Sequence, residues 1–117
     1  MANILIIEDD RTTRTLIKNL LIKEGHSIAE ASDGISGREK YIATSFDLVI
    51  IDILLPDSDG VTALQELQAS TPTPKCLVIS GAASEFLNVV EELGADATME
   101  KPIDHESLAL TIQSLLH

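Results

Sequence analysis

The chain contains a single cysteine, no tryptophan, one tyrosine and two phenylalanines among its 117 residues. A lone thiol at Cys76 excludes an intrachain disulfide and suits a reducing compartment. Set in an apolar run, it reads as a small buried hydrophobe. With so few rings, a hydrophobic fraction of 44% implies a core of Leu, Ile, Val and Ala. Basic residues are also scarce: eight Lys and Arg stand against 19 Asp and Glu, a net charge of -11. Such a field repels nucleic acid and anionic lipid and attracts cations or basic surfaces, so neither direct nucleic acid binding nor membrane association is expected. No run reaches the ~20 apolar residues of a transmembrane helix. The apolar start, Met1 to Ile7, lacks a basic leader and is closed by Glu8, Asp9 and Asp10, unlike a signal peptide. A cytoplasmic protein is expected. Repeats, low-complexity tracts and linkers are missing, and the Ser70-Thr71-Pro72-Thr73-Pro74 stretch is long enough only for a loop. The length suits a single domain spanning residues 1–117.

Three short β-branched runs are present: Ile4-Leu5-Ile6-Ile7, Leu48-Val49-Ile50-Ile51 and Leu77-Val78-Ile79. Bounded by polar residues or Gly, they have the character of strands buried on both faces. Ser27 to Ala31 and Ala97 to Glu100 carry fewer large apolar side chains, as edge strands do. Helical spacing lies between them. Leu16, Ile17, Leu20 and Leu21 follow Asp10 as a candidate N-cap and stop at Gly25. Phe86, Val89, Val90 and Leu93 stop at Gly94, and Leu108, Ile112, Leu115 and Leu116 follow Asp104 as N-cap. Val61, Leu64 and Leu67 mark another helix, and Ile35 to Ala43 a weaker one. Strict strand–helix alternation predicts an α/β fold, a doubly wound five-stranded parallel sheet in the flavodoxin-like three-layer arrangement. With the weak strands at the edges, the order is 2-1-3-4-5 and the switch point lies between strands one and three.

Open sheets of this kind bind ligands beyond the carboxyl ends of their strands. The residues falling there are Glu8, Asp9 and Asp10 after strand one, Asp52 after strand three, Ser80 after strand four and Lys101 after strand five. Crowded carboxylates repel one another, and a hard divalent cation with oxygen ligands relieves the repulsion. Mg2+ suits an open crevice, because it takes one or two carboxylates and keeps phosphate oxygens and waters; Mn2+ offers a substitute. Phosphoryl transfer needs an in-line nucleophile and positive charge on the equatorial oxygens. Asp52, the cation and Lys101 supply these, with Ser80 as a hydroxyl donor.

Taken in order, Ile4-Leu5-Ile6-Ile7-Glu8-Asp9-Asp10, Leu48-Val49-Ile50-Ile51-Asp52, Leu54-Leu55-Pro56-Asp57-Ser58-Asp59-Gly60, Val78-Ile79-Ser80-Gly81, Gly94-Ala95-Asp96-Ala97 and Lys101-Pro102 resemble the receiver domain of two-component response regulators over the whole chain. The resemblance implies that Asp52 accepts a phosphoryl group from a histidine kinase or histidine phosphotransfer protein. It implies Asp9, Asp52 and the Leu54 backbone carbonyl on magnesium, Glu8 linked through water, and Asp10 behind them. Ser80 and Lys101 would contact the phosphoryl oxygens, and the Lys101–Pro102 bond would be cis. Signalling would run to a downstream protein target or to an output domain missing from this chain. Receivers usually carry an aromatic residue three positions before the lysine; here Thr98 stands there, so the switch is expected to use Ser80 and Thr98 differently. Leu54 and Ala82 occupy positions that influence hydrolysis of the acyl phosphate, and both being apolar implies slow autodephosphorylation.

Two other readings compete. A degenerate receiver would act as a phosphorylation-independent interaction module. A haloacid-dehalogenase-like phosphatase also uses a strand-end aspartate, but needs a second acid two residues on, where this chain has Leu54. No turnover of an external substrate is therefore expected. A flavodoxin-like cofactor carrier would need a Ser/Thr/Gly-rich phosphate loop where Glu8-Asp9-Asp10 stands. His26, His105 and His117 lack ligand-like spacing, Asp57 to Gly60 read as a turn and helix start, and Tyr41 and Phe86 as packing residues.

Overall fold

The structure is a computed structural model that describes residues 1–55, 60–81 and 85–117. Strands β1 (Asn3–Ile7), β2 (Ser27–Ala31), β3 (Leu48–Asp52), β4 (Lys75–Ser80) and β5 (Ala97–Glu100) alternate with helices α1 (Arg11–Lys23), α2 (Gly34–Ala43), α3 (Gly60–Gln68), α4 (Glu85–Glu92) and α5 (His105–Leu116). All strand pairs are parallel and the order is β2-β1-β3-β4-β5, as the sequence predicts. Asp57 to Asp59, in the turn expected at Asp57 to Gly60, and the Ala82 position lie outside the described residues.

Two cores result from the alternation of side chains along each strand. Leu5, Ile7, Val49, Ile51, Cys76 and Val78 face Leu64 and Leu67 of α3 and Val90 of α4. Ile4, Ile6, Leu48, Ile50, Leu77 and Ile79 face Ile17 and Leu21 of α1 and Leu108 and Ile112 of α5. Burial on both faces is why β1, β3 and β4 read as unbroken apolar runs rather than alternating ones. At Gly37 on α2 a Cβ would lie 2.6 Å from Ile7 Cδ1. Glycine there lets α2 close on the last residue of β1, just before Glu8.

The caps match the sequence. Asp10 accepts from the Thr13 amide at 3.0 Å, and Asp104 from that of Ser107 at 2.8 Å. Gly25 and Gly94 adopt φ of 93° and 112° after their helices, a region where glycine avoids the Cβ clash. One expectation fails in part. Helical spacing put Val89 and Leu93 in the core with Val90, but they are 50% and 37% exposed. Of the described side chains of α4, only Val90 reaches the core, because the helix lies over the short edge of the sheet at β5.

Candidate functional site

Glu8, Asp9, Asp52, Ser80 and Lys101 lie at the carboxyl ends of β1, β3, β4 and β5, at the edge the topology predicts. The β4–β5 register pairs Ser80 with Glu100, and the Lys101 amide donates to the Ser80 carbonyl at 2.8 Å. That tie brings the lysine across β4 to β3 and β1. Its ammonium nitrogen lies 2.6 Å from Asp52 Oδ2 and 2.5 Å from Glu8 Oε1. The Lys101–Pro102 peptide is cis, as the resemblance implied. Asp52 Oδ1 accepts from the Leu54 amide at 2.9 Å, so both oxygens of this buried carboxylate are engaged.

Carboxylate oxygens of Glu8, Asp9 and Asp52 all fall within 4.8 Å of one another, with Asp9 exposed and the other two buried. Asp10 belongs elsewhere: its carboxylate caps α1, accepting from the Thr13 amide and hydroxyl, and these bonds hold it below the usual carboxylate range. Burial pushes the Glu8 carboxyl up to about 8, with Asp52 adding to the rise and Lys101 opposing it. Burial alone would lower Lys101, but its two carboxylate partners outweigh that and raise it. The two acids thus favour the ionised form of Lys101, while burial favours the protonated form of Glu8. One atom stands out. Glu8 Oε2 is buried with no donor facing it among the described residues. An all-oxygen set of three carboxylates, one with an unsatisfied buried oxygen and one open to solvent, is a donor set that fits a hard divalent cation. Zinc-type ligation is disfavoured, because among the described residues no histidine or cysteine joins the cluster.

Ser80 is fully buried at the end of β4. Thr98 sits outside the crevice, where its hydroxyl donates to Glu91 Oε1 of α4 at 3.0 Å. Leu54 is 59% exposed. Glu8, expected at one water's remove from an ion, is fully buried and lies closest to Lys101. Sequence reasoning missed one feature. Arg14 was not singled out, yet its Nη1 donates to the Glu8 carbonyl at 2.7 Å. Its place one turn after the Asp10 cap is the signal that could have found it.

The response regulator receiver domain model matches residues 4–113. The response regulator ArlR of Staphylococcus epidermidis is 34% identical over 99% of this chain and 53% of its own length. The transcriptional regulatory protein CpxR of Escherichia coli is 32% identical over 99% of this chain and 50% of its own. The chain therefore spans about half the length of these curated relatives. The crystal structure of a response regulator receiver domain protein (CheY-like) from Methanospirillum hungatei superimposes with a TM-score of 0.93. It shares 31% identity, and the match covers 99% of this chain and 94% of that one. A family match over almost every residue, joined to the same sheet order, means that this chain belongs to the response regulator receiver domains of two-component signalling.

Proposed function

We propose that Asp52 is the phosphoacceptor of this receiver and that Asp9, Asp52 and the Leu54 carbonyl form its Mg2+ site, with Glu8 joined to it through water. The observation that carries the reading is Lys101 Nζ at 2.5 and 2.6 Å from the buried acids of two different strands. A structural ion pair has little reason to gather this way at a strand-end crevice. When bound, the ion supplies Lewis-acid stabilisation of the phosphoryl oxygens.

The remaining steps belong to the chain. The Asp52 carboxylate attacks phosphorus as the N–P bond of a phosphohistidine breaks, its electron pair leaving with the donor imidazole. Lys101, already at the carboxylate, turns its ammonium to an equatorial phosphoryl oxygen, and the Ser80 hydroxyl donates to another. The Leu54 amide stays on Oδ1 and keeps the carboxylate from rotating. The Leu54 side chain, which brings no carboxylate or carboxamide to the mouth of the crevice, leaves an attacking water without a partner, so the phosphoform is long-lived. The donor is a histidine kinase or histidine phosphotransfer protein, and the message passes to a downstream protein or an attached output domain. Thr98, bonded to Glu91, takes the place of an aromatic reporter and ties the response to α4.

Incubation with acetyl phosphate and Mg2+, followed by intact mass, tests the reading. The unaltered chain should gain one phosphoryl group and Asp52→Asn none. No added mass on the unaltered chain would favour a partner-binding module that works without phosphorylation.

A further inference from the structure

The end of β1 is held from two sides. The Glu8 amide donates to the Ala31 carbonyl of β2 at 3.0 Å, and the Glu8 carbonyl accepts from Arg14 at 2.7 Å. Arg14 is fixed in turn. Its amide donates to the Asp10 carbonyl at 2.9 Å within the first turn of α1, and its Nε lies 3.4 Å from Glu30 Oε1 on the edge strand. Glu30 also pairs with Lys18 Nζ at 3.0 Å, and its carbonyl accepts from Lys40. One largely buried guanidinium therefore joins the Glu8–Asp9 peptide to β2. That peptide links two of the three clustered carboxylates, one buried and one exposed, and its orientation decides whether both can reach a common centre.

We propose that Arg14, braced by Glu30, is a positioning residue for the cation site: it fixes the Glu8–Asp9 peptide so that both carboxylates converge with Asp52. The proposal rests on the reading of that cluster as a divalent-cation site. Charge alone makes the opposite prediction, since removing a nearby cation favours the binding of another. The sign of the effect thus separates positioning from electrostatics. A lysine at position 14 lacks the planar fork needed to reach the Glu8 carbonyl and Glu30 together, so Arg14→Lys should not restore affinity in full.

Calorimetric titration with MnCl2 of the unaltered chain, Arg14→Met, Glu30→Gln, Lys18→Met and Asp52→Asn tests this. Amide NMR shifts of Glu8 and Asp9, taken without metal, give a second readout. Arg14→Met should weaken Mn2+ by about tenfold, the low end for partners that orient ligands, and displace the Glu8 and Asp9 amides while leaving those of β4 in place. Glu30→Gln should weaken Mn2+ less, and the double variant no more than Arg14→Met alone. Lys18→Met removes an equal charge from Glu30 without touching Glu8, and should leave the affinity unchanged or tighter. Affinity in Arg14→Met equal to or above that of the unaltered chain overturns the brace, as does an equal fall in Lys18→Met. Should Arg14→Met fail to fold, Arg14→Lys carries the comparison: it keeps the charge and loses only the planar fork, so affinity equal to that of the unaltered chain would overturn the brace. If the unaltered chain takes up no more Mn2+ than Asp52→Asn, the cation-site reading itself is lost and the brace with it. A brace that fails while the unaltered chain binds leaves that reading standing.

Discussion

Replacing Glu8 by Gln removes the one fully buried acid among the described residues, keeps its shape, and supplies an N–H donor at the position of the unsatisfied Oε2. The Glu8 carboxyl rises from 4.5 to about 8 in the fold, with burial as the chief cause. A raised carboxyl means that the folded state holds the proton more tightly than the unfolded one. Stability from this group is therefore full below pH 4.5 and drains away as pH climbs through about 8. At 1.36 kcal/mol per pH unit the rise from 4.5 to about 8 would total about 5 kcal/mol, and solvent screening at the open crevice brings the expectation to roughly 3 to 5 kcal/mol. Lys101 does not confuse the window, because its own raised value acts above 10.5.

Urea unfolding in EDTA, followed by far-UV circular dichroism at pH 5 to 9, measures the difference. At pH 5 the two proteins should be within about 1 kcal/mol of each other. By pH 8 to 9 Glu8→Gln should be the more stable by roughly 3 to 5 kcal/mol, a midpoint shift of about 2 M at a typical urea dependence. Parallel pH profiles would refute the reasoning, because they would mean that Glu8 ionises in the fold as easily as in the unfolded chain.

Three further outcomes are expected. Lys101→Met leaves Asp52 buried without a counter-charge; breaking a buried pair costs about 3 to 5 kcal/mol, and since the lysine is 22% exposed a loss of roughly 2 to 4 kcal/mol in urea at pH 7 is expected. Magnesium at a hundred times its dissociation constant should stabilise the unaltered chain by about 2.7 kcal/mol, and thermal melts of an Asp9→Asn, Asp52→Asn double variant should not respond. Burial pushes the Cys76 thiol up to about 12, so at pH 8 a disulfide reagent should stay unreacted with the folded chain and react at once in 8 M urea; rapid labelling without denaturant would contradict the burial.

The fold was legible because three strands are buried on both faces. Runs such as Leu48 to Ile51 leave no other reading once Gly25 and Gly94 mark where the helices stop. The order followed from relative greasiness: β2 and β5 have the weakest patterns, and a sheet exposes its edges. Helix periodicity was less reliable. It gives the face of α4 that is apolar, but the width of that face in contact depends on how far the sheet extends beneath it. With β5 only four residues long, Val90 is covered while Val89 and Leu93 are left in solvent.

For the site, sequence could place each side chain at a strand end but could not reveal the charge balance among them. Glu8 and Lys101 are 93 residues apart, and their pairing depends on β5 lying two strands from β3 and three from β1, close enough for a long side chain to cross. The lysine answers one carboxylate. Glu8 then remains with a buried oxygen that only a proton or a cation can satisfy, and the value near 8 is the energetic record of that conflict. Arg14 belongs to the same problem at the backbone level. The carbonyl of Glu8 lies just past the last β1–β3 register pair, Ile7 with Ile51, and a helix side chain serves as its donor. Backbone groups left over at strand ends are invisible in a sequence, because which carbonyl is left depends on register. They are also where a fold can hold acidic side chains together against their own repulsion.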